Sequence, residues 1–489
     1  MSIKNKVQLI TYPDSLGGDL RTLAEFLERV DVFEGGVHIL PPFPSSGDRG
    51  FAPRTYLEIE PEFGDWEDVR RIGENFDVLL DLMVNHISRH SPHFQDFLKK
   101  GRESEHADMF ITLDKIWPDG NPPQEDVDKI FLRRPNHPFS DVTVEETGQV
   151  ERIWTTFGKK AVSEQIDLDV HADAAKNLLV DFLTHLCQQN VKIVRLDAIG
   201  YVIKKPGTSC FFVEPEIYQF MEWITGVADS LGLALLSEIH AHYSIQFKLA
   251  ERGYWVYDFV LPALILYTLL NRSSIKLSDY LRVCPRKQFT MLDCHDGIPT
   301  KPDMDDILEA KELQEIADVC KQRGAADPSL VISPAHIGED GFNIHQIRCT
   351  YYSALDCDDD AYMAARAIQF FAPGVPQVYY VGLLAGENDH KSVRRTGEGR
   401  AINRHNYSIN EIEQALDKRV VQRLLKLIRF RNEHPAFGGD FQVLDSGVSE
   451  LCLSWQKGTE FCSLAVDLDS NQAVIVYTSE AGEMVEYKV

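Results

Sequence analysis

The chain has 489 residues, 44% of them hydrophobic, and carries 50 lysines and arginines against 75 aspartates and glutamates, a formal net charge of −25. A chain of this length holds roughly two to four domains, or one large barrel with insertions. The charge excludes a broad nucleic-acid surface, and an anionic ligand needs a cationic pocket built locally against the global field.

The nine cysteines form no CxxC pair and no metal-ligand spacing, which fits free thiols in a reducing compartment. The first residues, MSIKNKVQLITY, run directly into a strand without a signal-peptide apolar stretch. The longest apolar run, Phe259–Leu270, contains Pro262 and is too short to span a bilayer. These features lead us to expect a cytoplasmic, soluble protein that does not engage a membrane.

In chain order, short β-rich apolar runs alternate with helical patterns. The runs are Val7–Tyr12, Gly36–Leu40, Val78–Val84, Val191–Ala198, Ala234–His240, Trp255–Leu261, Gln288–Asp293 and Val375–Val381. Near-continuous apolar strands alternating with helices indicate a parallel sheet covered on both faces. Eight such units predict an α/β fold of the (β/α)8 TIM-barrel type. A doubly wound open sheet fits less well, because no Gly-rich dinucleotide turn follows the first strand.

Two connections are too long to be ordinary loops. Residues 87–166, polar and rich in Pro, Asp and Lys, are expected to form an inserted lobe after strand three. Residues 297–350, with one helical stretch over Asp305–Arg323, form a second insertion after strand seven. The barrel then comprises 1–86, 167–296 and 351–435, and alternating strands over 436–489 predict a C-terminal antiparallel β domain. Loops that follow barrel strands build the active-site face, so both insertions should overhang the pocket.

The run KIVRLDA places Arg195 and Asp197 two apart, hence on one face of a strand, where the arginine keeps the carboxylate ionised. Asp197, Glu238 and Asp296 follow strands four, five and seven. Any one of them alone is equally well a cap or an ion-paired carboxylate. Three converging strand ends point to glycoside chemistry with retention, which uses a carboxylate nucleophile and a second carboxyl acting first as acid and then as base. We assign Asp197 as nucleophile and Glu238, set in the apolar run LALLSEIH, as a proton donor whose pKa that setting should raise. Asp296 would stabilise positive charge on the ring or hold its hydroxyls.

Histidines cluster at the same ends: His86 in VNH, His240 two residues past Glu238, and His295 in CHDG. As neutral imidazoles they can donate to sugar hydroxyls. His86, His90 and His93 share a helical spacing but lack an acidic companion, so no metal is expected. The acidic run Asp356–Asp360 lacks the glycine and spacing of a calcium loop and suits a helix N-terminus. GDRGF offers Phe51 to stack on a sugar face, and Asp48 would pair with Arg404 of INR to close a one-sugar pocket, although on these residues alone a surface salt bridge explains that pair better.

VNH, RLDA, the strand-five glutamate and HD together resemble glycoside hydrolase family 13, the α-amylase clan. GGVHILPPFPSSGDRGFAP, KIVRLDAIGY, GTSCFF, LDCHDGI, GVPQVYYVGLLAG and INRHNY are similar to its sucrose phosphorylase branch, over nearly the whole chain and most weakly in the last fifty residues. The resemblance implies the same three carboxylate roles. It also implies that Asp48, His86, Arg195, His295 and Arg404 hold a glucosyl unit, that Gln346 lies on a loop near the acceptor, and that no cofactor is needed. The substrates it implies are small molecules: sucrose or sucrose 6′-phosphate, and inorganic phosphate.

Plain sucrose phosphorylases tend to carry tyrosine before that glutamine, whereas this chain has His345. His345, with Arg134 of FLRR reaching in from the lobe, would bind a phosphate on the fructose, which favours the phosphorylated substrate. Arg134 serving inorganic phosphate alone, and a relative acting on glucosylglycerate or glucosylglycerol, remain open on these residues.

Overall fold

The structure, a computed structural model, describes residues 3–132, 137–158, 163–300, 306–326 and 344–489. Eight parallel strands form a closed barrel: β1 (Gln8–Thr11), β2 (Gly36–Ile39), β3 (Val78–Met83), β4 (Val191–Asp197), β5 (Ala234–Ser237), β6 (Trp255–Asp258), β7 (Gln288–Thr290) and β8 (Val375–Tyr379). Around the barrel the order is β1-β8-β7-β6-β5-β4-β3-β2, so each strand lies beside its sequence neighbour, as a (β/α)8 fold requires. All eight strands anticipated from apolar runs are present. The described residues divide into two compact units, Ile39–Ile239 on one hand and Ile3–His38 with residues 240–326 and 344–489 on the other.

In the first unit β3, β4 and β5 pair in parallel, with Asp81 opposite Arg195 and Arg195 opposite Leu236. Every residue of β3 is buried. The helix Trp66–Asn75 starts on Asp65, whose carboxylate accepts from the Glu67 and Asp68 amides in a capping box. The segment after β3 carries the helix Pro92–Lys100, a hairpin of Phe139–Thr143 with Val150–Trp154, and a short antiparallel pair of His86–Ser88 with Gln165–Asp167. Its apolar centre holds Ile111, Leu113, Trp117, Ile130 and Trp154. Trp117 and Trp154 stack there at 5.9 Å. Trp154 is almost wholly buried, and its indole N–H donates to Thr156 Oγ1, the partner a buried tryptophan needs.

In the second unit the long apolar run Phe259–Leu270 becomes the buried helix Leu261–Asn271. Asp358 caps the helix Asp359–Phe371 through the Asp360 and Ala361 amides, the role anticipated for the acidic run. The second insertion holds the helix Ala310–Gln322 and a two-stranded ladder of Ile298–Pro299 with Gln346–Ile347. The C-terminal sheet is antiparallel: β9 (Asp440–Leu444), β10 (Glu450–Lys457), β11 (Glu460–Asp467), β12 (Gln472–Thr478) and β13 (Met484–Lys488). Its Trp455 indole donates to Phe371 O at 2.8 Å, which anchors the sheet on the end of the helix before β8. Among the described residues no helix is long and apolar enough to cross a membrane.

Candidate active site

In the first unit the end of β4 is built on one guanidinium. Arg195 pairs with Asp81 through Nη1, with Asp197 Oδ1 through the same nitrogen at 3.0 Å, and with Glu238 Oε1 through Nη2 at 3.2 Å. The Arg195 side chain is 5% exposed and Asp81 not at all. A charge at this depth persists only when paired, and Asp81 supplies that pairing from the neighbouring strand. Asp81 was not among the expected site residues. Its signal in the sequence is that it carries the only charge in the run VLLDLMV.

Just past Asp197 the backbone turns through Ala198 in the left-handed region, φ 56°, and the Ala198 amide donates to Glu238 Oε2 at 3.2 Å. Glu238 therefore meets a cation and an N–H donor, contacts that the apolar run around it did not foretell.

Phe51 lies with its ring 5.8 Å from the Arg195 guanidinium. Its carbonyl accepts from His86 Nε2 at 3.1 Å and Gln165 Nε2 at 2.8 Å. His86 is buried, and burial lowers its pKa below the usual histidine value, against the charges of Asp167 and Asp48 that raise it. The imidazole is thus neutral. With Nε2–H spent on Phe51, Nδ1 is left as an acceptor, and it has no partner among the described residues. On that side the ring offers an acceptor. Asp48 sits exposed in a turn with φ 46°. His90 faces Glu164 at 3.5 Å and His93 packs on His106, so the three spaced histidines serve different partners.

Beneath His86 lies a buried polar knot. Lys204 Nζ donates to Asn85 Oδ1 and Tyr201 O at 2.6 Å each and pairs with Asp167 Oδ2 at 2.6 Å. Asp167 also accepts from the Thr156 amide at 2.8 Å, Thr156 Oγ1 at 2.5 Å and Asn85 Nδ2 at 3.0 Å. This knot ties the inserted segment to the ends of β3 and β4.

In the second unit Asp296 stands in the turn after β7. Its Oδ1 lies 3.1 Å from Arg400 Nη1, 3.5 Å from Arg404 Nη2 and 3.7 Å from His295 Nε2. The turn is closed by the Gly297 amide on Cys294 O at 3.0 Å. Gly297 has φ 112°, and a Cβ there would strike the Ile347 carbonyl, so glycine lets the turn lie against the ladder that carries Gln346. INR acts on this turn from behind: Asn403 Nδ2 donates to Cys294 O and Arg404 Nε to His295 O, both at 2.8 Å. The Arg404 guanidinium also lies over the Tyr12 ring at 5.7 Å.

His240 stacks on Phe259, rings 3.9 Å apart, with its edge toward His345 at 5.2 Å. His345 and Gln346 are buried, and the Thr300 amide donates to His345 O at 3.2 Å. Gln346 Oε1 is a buried acceptor without a partner among the described residues. Arg134 lies outside the described residues.

The α-amylase catalytic-domain family model matches residues 11–248. Over all of both chains the sequence is 61% identical to a sucrose 6(F)-phosphate phosphorylase of Thermoanaerobacterium thermosaccharolyticum. Over 99% of each chain it is 44% identical to a glucosylglycerol phosphorylase of Marinobacter adhaerens. The crystal structure of a sucrose 6F-phosphate phosphorylase from Thermoanaerobacter thermosaccharolyticum superimposes with a TM-score of 0.97 at 60% identity, covering 100% of this chain and 99% of that one.

Proposed function

Because this chain belongs to the α-amylase family, in its sucrose phosphorylase branch, we propose that it converts sucrose 6′-phosphate and inorganic phosphate to α-glucose 1-phosphate and fructose 6-phosphate. The observation that carries the chemistry is the Arg195 guanidinium shared by Asp197 and Glu238. Two carboxylates bound to one guanidinium are held close together. That favours retention, with carboxyls about 5–5.5 Å apart, over inversion, which separates them by about 6.5–9.5 Å to admit a water.

Asp197 attacks the anomeric carbon while Glu238 gives its proton to the departing fructosyl oxygen. Formation of the ester removes the Asp197 charge. Glu238, now the carboxylate nearest Arg195 besides Asp81, takes the proton of the incoming phosphate, and that phosphate displaces Asp197. The product keeps the α configuration. Asp296 follows β7 of the same parallel barrel, whose strands all end on one rim, and this supports its role on the sugar hydroxyls. His86 accepts from the sugar through Nδ1, and Gln346 Oε1 offers the acceptor sugar a carbonyl.

The preference for a phosphorylated fructose rests on His345, buried beside His240 in a chain of net charge −25. A dianionic substrate needs such local donors. Arg134 completes this reading as the second phosphate ligand. The nine free thiols support a cytoplasmic location. The test is the rate of phosphate-dependent glucose 1-phosphate release from sucrose 6′-phosphate against sucrose. A strong preference for sucrose overturns the phosphorylated-substrate reading, and release of free glucose regardless of phosphate overturns the phosphorylase itself.

A further inference from the structure

We infer that Arg366, acting through Asp293, is a positioning residue for the proposed reaction: it fixes the root of the turn that carries Asp296 and, on the same carboxylate, the end of the segment that carries Gln346. This rests on the phosphorylase reading above and adds to it a pair that, being wholly buried, touches no substrate.

All the residues concerned belong to the second unit. Asp293 ends the apolar run Gln288–Asp293, three residues before Asp296. Neither its side chain nor that of Arg366, on the helix Asp359–Phe371, is exposed at all, and Arg366 Nη2 lies 3.3 Å from Asp293 Oδ1. The other oxygen, Oδ2, accepts from the Tyr351 amide at 3.3 Å. Tyr351 opens the helix Tyr351–Ala354, shortly after the ladder strand Gln346–Ile347. One carboxylate thus holds both the turn and the end of that segment.

The guanidinium is aimed by its own helix. Nε and Nη2 donate to the Tyr362 hydroxyl at 2.9 and 2.8 Å, and Nη1 donates to Gln369 Oε1 at 2.8 Å. Both partners are tied in turn to the barrel: the Tyr362 hydroxyl donates to Gly382 O, and Gln369 Nε2 donates to Thr290 O of β7 at 3.0 Å and Gln377 O of β8 at 2.9 Å. A Cβ on Gly382 would overlap the guanidinium, so glycine there is what admits it.

A buried ion pair gives little net stability over apolar groups of the same size. What this one adds is direction. Arg400 and Arg404 hold Asp296 from beyond the turn, and Arg366 holds the turn where it leaves β7. Burial raises the Asp293 carboxyl above its ordinary value, and the Arg366 charge works against that rise. The phenols of Tyr351 and Tyr362 also face it, and burial pushes both up, so they stay protonated. Without Arg366 the carboxyl therefore takes up a proton at higher pH, and one of its two acceptors becomes a donor. A displacement of about 1 Å at a group that meets the substrate can cost roughly 100-fold in rate.

The test compares the unaltered full-length protein with Arg366→Met, Arg366→Lys and the double variant Arg366→Met with Asp293→Asn. It reads kcat and KM for phosphate-dependent glucose 1-phosphate release from sucrose 6′-phosphate as functions of pH, with folding followed by circular dichroism. Arg366→Met should lower kcat roughly 10- to 100-fold and move the acid limb of its pH profile up by about one unit or more, because activity is lost as pH falls through the raised Asp293 value. Arg366→Lys keeps the charge and should recover part of kcat with the limb near its place. The double variant has no carboxylate at 293 to titrate, so its limb returns, while kcat stays below that of the unaltered protein. An unmoved acid limb in folded Arg366→Met, or a kcat within about twofold of the unaltered protein, overturns the inference. Should Arg366→Met not fold, the double variant decides, and full kcat there has the same force. Failure of the underlying reading looks different: the unaltered protein would then release no glucose 1-phosphate.

Discussion

Replacing Lys204 by methionine keeps an unbranched stem of similar reach against Trp154, whose ring lies 5.9 Å from the ammonium, and removes only the charge. The side chains of Lys204 and Asp167 are 2% and 0% exposed. Without the ammonium, Asp167 stays buried with the Thr156 amide, Thr156 Oγ1 and Asn85 Nδ2 as donors but no cation. Breaking a buried ion pair by removing one partner costs about 3–5 kcal/mol, and three surviving donors put this case near the lower end, about 3 kcal/mol. For a chain of this size the thermal midpoint should fall by roughly 3–6 °C.

The double variant Lys204→Met with Asp167→Asn leaves no unpaired charge and should regain more than half of that loss. Differential scanning calorimetry on the four proteins of the cycle measures both effects. The reasoning fails if Lys204→Met shifts the midpoint by less than a degree, or if Asp167→Asn makes the methionine variant worse. Asn85 precedes His86, so kcat/KM should drop in Lys204→Met and recover in the double variant.

Asp197→Asn should reduce turnover on the order of 10^4-fold or more, while calorimetric titration still detects sugar binding; retained turnover would exclude Asp197 as nucleophile. Burial raises Asp258, at the end of β6, to about 6 from the ordinary 3.8, despite donors from Val260, Leu261, Tyr280 and Gln288. The folded state therefore holds this proton more tightly than the unfolded chain. The stability this brings is complete below about pH 3.8 and is lost as pH rises through about 6, a swing of about 3 kcal/mol at 1.36 kcal/mol per pH unit. Asp258→Asn should gain on the unaltered protein by that amount between pH 4 and pH 7, and an offset constant with pH would refute the assignment. Gly297→Ala, which drives a Cβ into the Ile347 carbonyl, should lower kcat at least tenfold with little change in overall secondary structure by circular dichroism; an unchanged kcat would show that the turn shifts freely.

The barrel was legible because its strands are buried on both faces and so read as unbroken apolar runs. The strand ends that carry Asp197, Glu238 and Asp296 were legible because polar residues interrupt those runs where the strands stop. What escaped was every role assigned by a partner distant in sequence. Asp81 sits inside an apolar run, and its service to Arg195 depends on register between β3 and β4. Lys204, Asn85 and Asp167 are unremarkable apart, and only the fold brings them together. Of INR only Arg404 was marked, for the pocket, whereas Asn403 and the Arg404 Nε also serve two backbone carbonyls, and backbone carbonyls leave no trace in a sequence. The spatial neighbours of Glu238 were hidden for the same reason: neighbours along the chain are apolar, while Arg195 and the Ala198 amide, brought up by the fold, are polar.

Because Asn403 and Arg404 grip the backbone of Cys294 and His295, the loops after β7 and β8 form one transplantable module. Grafting residues 294–297 onto another barrel without residues 399–404 would strand two carbonyls and cut Asp296 loose from its cationic neighbours. Laboratory evolution of new acceptors should therefore diversify both stretches in the same library, since a gain in one that shifts the backbone by half an ångström is paid in the other.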